Sequence, residues 1–328
     1  MPRRLLLSLC CVWLGCAACA KDDAGDAGDG RASGKFKSFD ARATGPADAF
    51  PGPGPVVPNG PEPDAAAPPS EVPAPVAHPT GCDAQRCRVR SLTPELAAFL
   101  AKEPDRLLAF EPGATAEDLA TLRLATGLRR LELSHVDRPD LTRVPGAALV
   151  ELRLGRTGLT DLAPLRAFSR LTHLVLFEAP FTDASPLEGL TALEVLDLSR
   201  CPNVRDFNFL PKLTRLTSLL LSGTAFSDAA LLGGLTGLRE LGLGHTQLAA
   251  SGLDALSPLT GLSGLHLDGL AGLTDLSALA GLTGLRHLGL SDTGVRDLKP
   301  LAGLVELRTL KLTRAPVTDL SPDRKSVV

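Results

Sequence analysis

"LTHLVLFEAPFTDASPLEGL", residues Leu171 to Leu190, places leucine at 171, 174 and 176 and returns to it at 187 and 190. That spacing is too open for a buried helix and too irregular for one strand. Laid against the rest of the chain, it repeats. Leu-x-x-Leu-x-Leu starts at Leu128, Leu149, Leu171, Leu193, Leu216, Leu238, Leu262, Leu285 and Leu307, in steps of 21 to 24 residues. The nine segments LRRLEL, LVELRL, LTHLVL, LEVLDL, LTSLLL, LRELGL, LSGLHL, LRHLGL and LRTLKL keep all three leucines. The second and third leucines stand two apart, so they share one face of a short strand. One copy cannot bury them alone, and stacking of neighbouring copies does so. Return segments add apolar pairs from the outer side: Leu162 with Leu165, Leu187 with Leu190, Leu232 with Leu235, Leu301 with Leu304. The expected architecture is an α/β repeat solenoid whose nine strands form a curved parallel sheet roughly 43 Å long, at about 4.8 Å per strand.

Ahead of the repeats, residues 81–127 are expected to form an N-terminal helical cap. Thr93 can cap a helix with Pro94 in its first turn, Leu96, Phe99 and Leu100 share a face, and Pro104 stops it. A second helix is expected from Thr115, with Asp118 in capping-box position, Leu119 and Leu122 inward, and Gly127 as terminator. Cys82 and Cys87 open this unit, and in an oxidising compartment a disulfide between them closes a loop worth roughly 2 kcal/mol on the chain-entropy model. No second Cys or His pair sits nearby in sequence to make them a metal site.

With these segments in view, residues 128–322 resemble the leucine-rich repeat proteins, and among them the 22-residue bacterial internalin type. The continuation "TGLTDLAPL" (157 to 165) and "TGVRDLKPL" (293 to 301) carries the resemblance. It implies a horseshoe with the parallel sheet on its concave face. The buried ladder position of that family, usually Asn, is here Thr157, Thr224, Thr246 and Thr293, with Cys201, Ala179 and Ala315 elsewhere. A hydroxyl or thiol at that position can bond a neighbouring backbone group, so Cys201 is read as structural. The resemblance carries the fold and not host-cell invasion.

The opening residues MPRRLLLSLCCVWLGCAACA set Arg3 and Arg4 before an apolar run and small residues, the layout of an export signal over 1–19. The ending is similar to a bacterial lipoprotein signal. Cys19 is the expected acylated residue and Cys16 the alternative, and the lack of an Asp after either leans towards the outer membrane or cell surface. The other outcome is plain cleavage to a periplasmic or secreted protein. Residues 20–80, rich in Pro, Ala, Gly and Asp, cannot bury enough apolar surface to offset ordering and read as a disordered tether. Its reach is about 45 Å as a coil and on the order of 190 Å in extended polyproline form. Residues 323–328, DRKSVV, spell the translation of a widely used sequencing adapter, and a gene model truncated inside the ninth copy is expected.

Function is sought on the strand positions that alternate with the buried leucines: Glu132, Arg153, Val175, Asp197, Leu220, Gly242, His266, Gly289 and Lys311. Val175, Phe177, Val195 and Leu220 are expected to form an apolar strip bordered by Arg153, Asp197 and Arg200, the apolar centre and charged rim of a protein interface. His135, His173, His245, His266 and His287 fall on or beside the same face. His266 and His287 lie two residues out of step in adjacent strands, about 8 Å apart, and no Cys or carboxylate completes a metal set. Neither a metal nor another cofactor is expected. Motifs for zinc proteolysis, phosphate cradling or nucleophilic catalysis are absent from the sequence. With a net charge of −3, nucleic acid is not the expected partner, and contact with a membrane would come through the lipid anchor alone. The expected function is a non-enzymatic protein-binding module of the cell envelope. The alternatives are a structural spacer or adhesion element, or the binding part of an enzyme whose catalytic domain lies beyond the truncation.

Overall fold

The computed structural model describes residues 79–320. Eleven strands form one parallel sheet in sequence order, each paired only with its neighbours in the chain. They are β1 Arg86–Val89, β2 Leu107–Phe110, β3 Arg130–Glu132, β4 Glu151–Arg153, β5 His173–Val175, β6 Val195–Asp197, β7 Ser218–Leu220, β8 Glu240–Gly242, β9 Gly264–His266, β10 His287–Gly289 and β11 Thr309–Lys311. Pairing never slips: Leu131, Leu152, Leu174, Leu196, Leu219, Leu241, Leu265, Leu288 and Leu310 are partners from strand to strand. Ten inter-strand steps make the sheet about 48 Å long.

The outer wall explains the second leucine rhythm. After each strand the chain returns through 3-10 turns such as Ala163–Ala167 and Ser185–Gly189. The 3-10 helix has three residues per turn, so residues three apart fall on one line. Leu165, Phe168 and Leu171 each donate an N–H to the carbonyl three residues back, at 2.9 to 3.0 Å, and all three are buried. The Asp of the "TDL" motif begins these turns, as where Asp161 Oδ1 accepts the Ala163 N–H at 2.8 Å. Extra residues are absorbed on this side: the 24-residue step from Leu238 to Leu262 contains the seven-residue turn Ala250–Leu256.

Between strand and outer wall the backbone adopts a left-handed turn in every copy. His135, Arg156, Glu178, Arg200, Gly223, His245, Gly269, Asp292 and Arg314 have φ between 55° and 76°. That conformation turns each N–H toward the next repeat: Arg156 donates to the Phe177 carbonyl at 2.7 Å and Glu178 to Ser199 at 3.0 Å. Inter-repeat hydrogen bonding thereby continues past the strand ends. Below the turn, the hydroxyls of Thr157, Thr224, Thr246 and Thr293 donate to the carbonyl three residues earlier at 2.6 to 2.9 Å. Cys201 reaches instead to the preceding copy, with Sγ 3.1 Å from the Leu176 carbonyl. Burial pushes its thiol up to about 12, so the thiolate that reactivity needs is not formed near neutral pH.

The cap is not purely helical. Its helix α1, Pro94–Lys102, starts on Thr93, whose hydroxyl accepts the Leu96 N–H. Thr115 and Asp118 form the reciprocal capping box of α2, Ala116–Leu119. Strands β1 and β2, however, extend the repeat sheet into the cap, with Leu107, Leu108, Ala109 and Phe110 all buried. Gly127 does not end the second helix either: a 3-10 turn, Ala120–Leu124, follows α2 and is capped at Ala125. Cys82 and Cys87 are joined by a disulfide across a one-bridge hairpin. Gly81, with φ 84°, closes that hairpin, where a side chain would run into the Arg88 carbonyl. The candidate lipidation cysteines Cys16 and Cys19, the export signal expected over residues 1–19, the segment read as a tether up to residue 78, and residues 321–328 lie outside the described residues.

Candidate functional site

The concave face is the outward side of β3–β11, and its central copies are organised around arginine. Glu151 on β4 accepts from Arg130 Nε on β3 at 2.7 Å through one oxygen and from Arg153 Nε at 2.7 Å through the other. Burial alone would raise the Glu151 carboxyl, but Arg153 and Arg130 outweigh it and hold it below its ordinary value. One turn along, Glu178 accepts from Arg156 Nε at 2.8 Å and from Arg200 Nη1 at 2.7 Å. Phe177 lies between the same two guanidiniums, 5.5 Å from Arg156 and 5.8 Å from Arg200, within cation–π range.

Of the expected strip, Val175, Phe177 and Leu220 are half-buried and Arg153 and Arg200 border it. Val195 and Asp197 do not stand exposed as the alternation predicts: they keep only 6 % and 8 % of their surface. Their side chains leave the sheet on the concave side, yet flanking chains cover them; Asp197 sits in register between Val175 and Leu220. Its Oδ1 accepts the Ser199 N–H at 2.8 Å. Burial pushes the Asp197 carboxyl above the ordinary value of 3.8, against the pull of the Ser199 bonds. Because the folded state holds this proton more tightly than the unfolded chain, stability falls as pH rises from 3.8 through the raised value. Asp197→Asn, which keeps an acceptor for Ser199, is therefore expected to melt higher than the parent at pH 7. The two should converge below pH 3.8. A lower melting temperature for the variant at pH 7 would reverse this account.

The histidines do not gather. His266 Nε2 meets Glu240 Oε1 at 2.7 Å, and Gly264 lies beneath that carboxylate, where a side chain would collide with it. His287 Nδ1 is 3.2 Å from Thr309 Oγ1. Register confirms the two-residue offset, since His287 pairs with Gly264 and His266 with Gly289. Among the described residues no group of three or more His, Cys, Asp or Glu side chains is placed to hold a metal ion. None of the described helices is long and apolar enough to cross a membrane.

Sequence reasoning missed Arg130, Glu151, Arg156 and Glu178 as one system. Their signal was present: charges of opposite sign stand 21 or 22 residues apart, one repeat step, at Arg130 and Glu151, Arg156 and Glu178, and Glu178 and Arg200.

Sheet, register and outer wall together define a leucine-rich repeat solenoid. The chain is similar to an internalin (inlF) of Listeria monocytogenes, with 25% identity and a TM-score of 0.54, covering 69% of this chain and 73% of that one. It is similar also to internalin C2 of the same organism, with 28% identity and a TM-score of 0.50, over 61% of this chain and 84% of that one. The leucine-rich repeat ectodomain of the Arabidopsis thaliana receptor kinase GASSHO1/SCHENGEN3 shares the fold at 22% identity and a TM-score of 0.51, over 63% of this chain and 26% of that one. The sequence matches no protein-family model and no curated protein.

Proposed function

We propose that this chain is a non-enzymatic protein-binding module displayed in the bacterial cell envelope, which meets its partner through the concave face of β4–β7. The observation that carries the reading is Phe177, half-buried between Arg156 and Arg200 beside Val175, with half-buried Leu220 two strands on. Aromatic and arginine side chains carry most interface energy, and this chain has no Tyr and a single Trp, at position 13. Export is supported by the leader over residues 1–19 and by the Cys82–Cys87 disulfide, a bond that persists in oxidising compartments. Acylation at Cys19, or at Cys16, would fix the module to the outer membrane.

Crosslinking capture by the full chain from a lysate of the source organism identifies the partner, and the affinity of the isolated pair then tests the face. Phe177→Ala is expected to weaken binding by about 2 kcal/mol, roughly 30-fold, with the circular dichroism spectrum unchanged. Equal affinity for parent and variant removes the strip from the interface, and capture of nothing in repeated trials favours the spacer reading.

A further inference from the structure

Four guanidiniums on β3–β6 and the turns that follow share two carboxylates: Arg130 and Arg153 on Glu151, Arg156 and Arg200 on Glu178. Both oxygens of each carboxylate are already taken, one by each arginine. The other acids of these strands are committed too: Glu132 pairs with Arg86, and Asp197 is buried against Ser199. Resting on the reading of this face as a protein-binding surface, we propose that the partner presents an extended acidic segment whose carboxylates are taken by Arg153 and Arg156.

Three observations converge on these two side chains. First, each spends Nε on its own carboxylate, and among the described residues no protein acceptor meets the two terminal amino groups, the wide end of a fork that matches a carboxylate bidentately. Second, the two residues stand three apart on one repeat, less than about 10 Å of chain, with Val175 and Phe177 alongside on the next repeat. An extended segment with acidic residues at alternate positions carries its carboxylates on one face about every 6.7 Å, with apolar residues between them. Third, the Arg156 side chain keeps 40% of its exposure, so its guanidinium stands open to solvent at the edge of the face. A pair that exposed returns little stability, and it leaves the Arg156 guanidinium accessible to a carboxylate from outside the fold. A phosphate-rich strand would also meet guanidiniums, but the apolar side chains beside the two arginines and the net charge of −3 favour a peptide.

Fluorescence anisotropy with the full chain tests this, using labelled alternating Glu-Val and Lys-Val peptides of about twelve residues and a single-stranded oligoribonucleotide. Glu-Val is expected to bind, to weaken as NaCl rises from about 0.05 to about 0.3 M, and to lose about tenfold in affinity in the Arg153→Gln, Arg156→Gln double variant. A control, Arg286→Gln with Arg308→Gln, makes the same charge change just ahead of β10 and β11 and is expected to leave binding as in the parent. No binding of Glu-Val, equal binding of Lys-Val, tighter binding of the oligoribonucleotide, or equal losses in the two double variants each overturns the proposal. If the Arg153 and Arg156 variant still captures the crosslinked partner while Phe177→Ala does not, the protein-binding reading stands and the acidic segment falls. Thermal melts of both double variants guard against unfolding, and the comparison of Glu-Val with Lys-Val holds on the parent alone.

Discussion

Leu176→Ala is expected to lower the unfolding free energy by about 2 to 5 kcal/mol, whereas its neighbour Phe177→Ala lowers it by about 1 kcal/mol or less. Leu176 is wholly buried, as are the equivalent Leu154 and Leu198 of the copies on either side. Truncating it removes contacts in three repeats at once, and in-register strands cannot close the gap by sliding, because a one-residue slip would turn every leucine outward. Phe177 stands one residue later on the opposite side of the backbone. Its ring touches guanidiniums that can still pair with Glu178 once the ring is gone. Urea denaturation of both variants under one set of conditions reads the difference directly. Comparable losses would place Phe177 inside, and the concave strip would have to be abandoned at this copy.

Glu151→Ala is expected to cost about 3 kcal/mol at neutral pH. The side chain keeps 7% of its exposure, and its two partners Arg130 and Arg153 keep 28% and 23%. Removing the carboxylate leaves two like charges facing each other in a half-buried site, which is the costly way to break such a system. The pH dependence follows from the direction of the shift. A carboxyl held below its ordinary 4.5 in the folded state contributes stability that is complete above 4.5 and is lost as pH falls through the folded value. The gap between parent and Glu151→Ala should therefore be widest near neutrality and narrow in acid. A gap that is constant down to strongly acid pH would mean that packing, not charge, is what Glu151 supplies.

The nine repeat strands are legible in the sequence because three leucines per copy hold a fixed register, and the 3-10 return shows in the leucines three residues apart. Thr93 with Pro94 and Thr115 with Asp118 are equally legible, since capping is a local interaction between neighbours in the chain. The two cap strands escape notice for opposite reasons. In β1 only Cys87 is buried, so there is no pattern to find, while β2 is buried throughout and a four-residue apolar run has no period. A continuous run before the Glu111-Pro112-Gly113 turn was the available signal. Gly127 misleads because glycine after a helix suggests a terminator, yet the chain had already tightened into a 3-10 turn. Val195 and Asp197 show the limit of alternation: it says which way a side chain leaves the sheet, not whether neighbouring strands cover it. The arginine system becomes visible only when equivalent positions of successive copies are aligned in space, since its members are a full repeat apart in the chain.

In-register stacking turns each repeat position into a row of side chains spaced roughly 4.8 Å apart. An extended chain lying along such a row presents its own side chains about every 6.7 Å. Two rulers with those divisions come back into step after four repeats and six residues, near 19 and 20 Å, and are out of phase between. A strand crossing the eleven strands of this sheet would grip at intervals, in the manner of a vernier, and the repeats between grips would be free to change without loosening it.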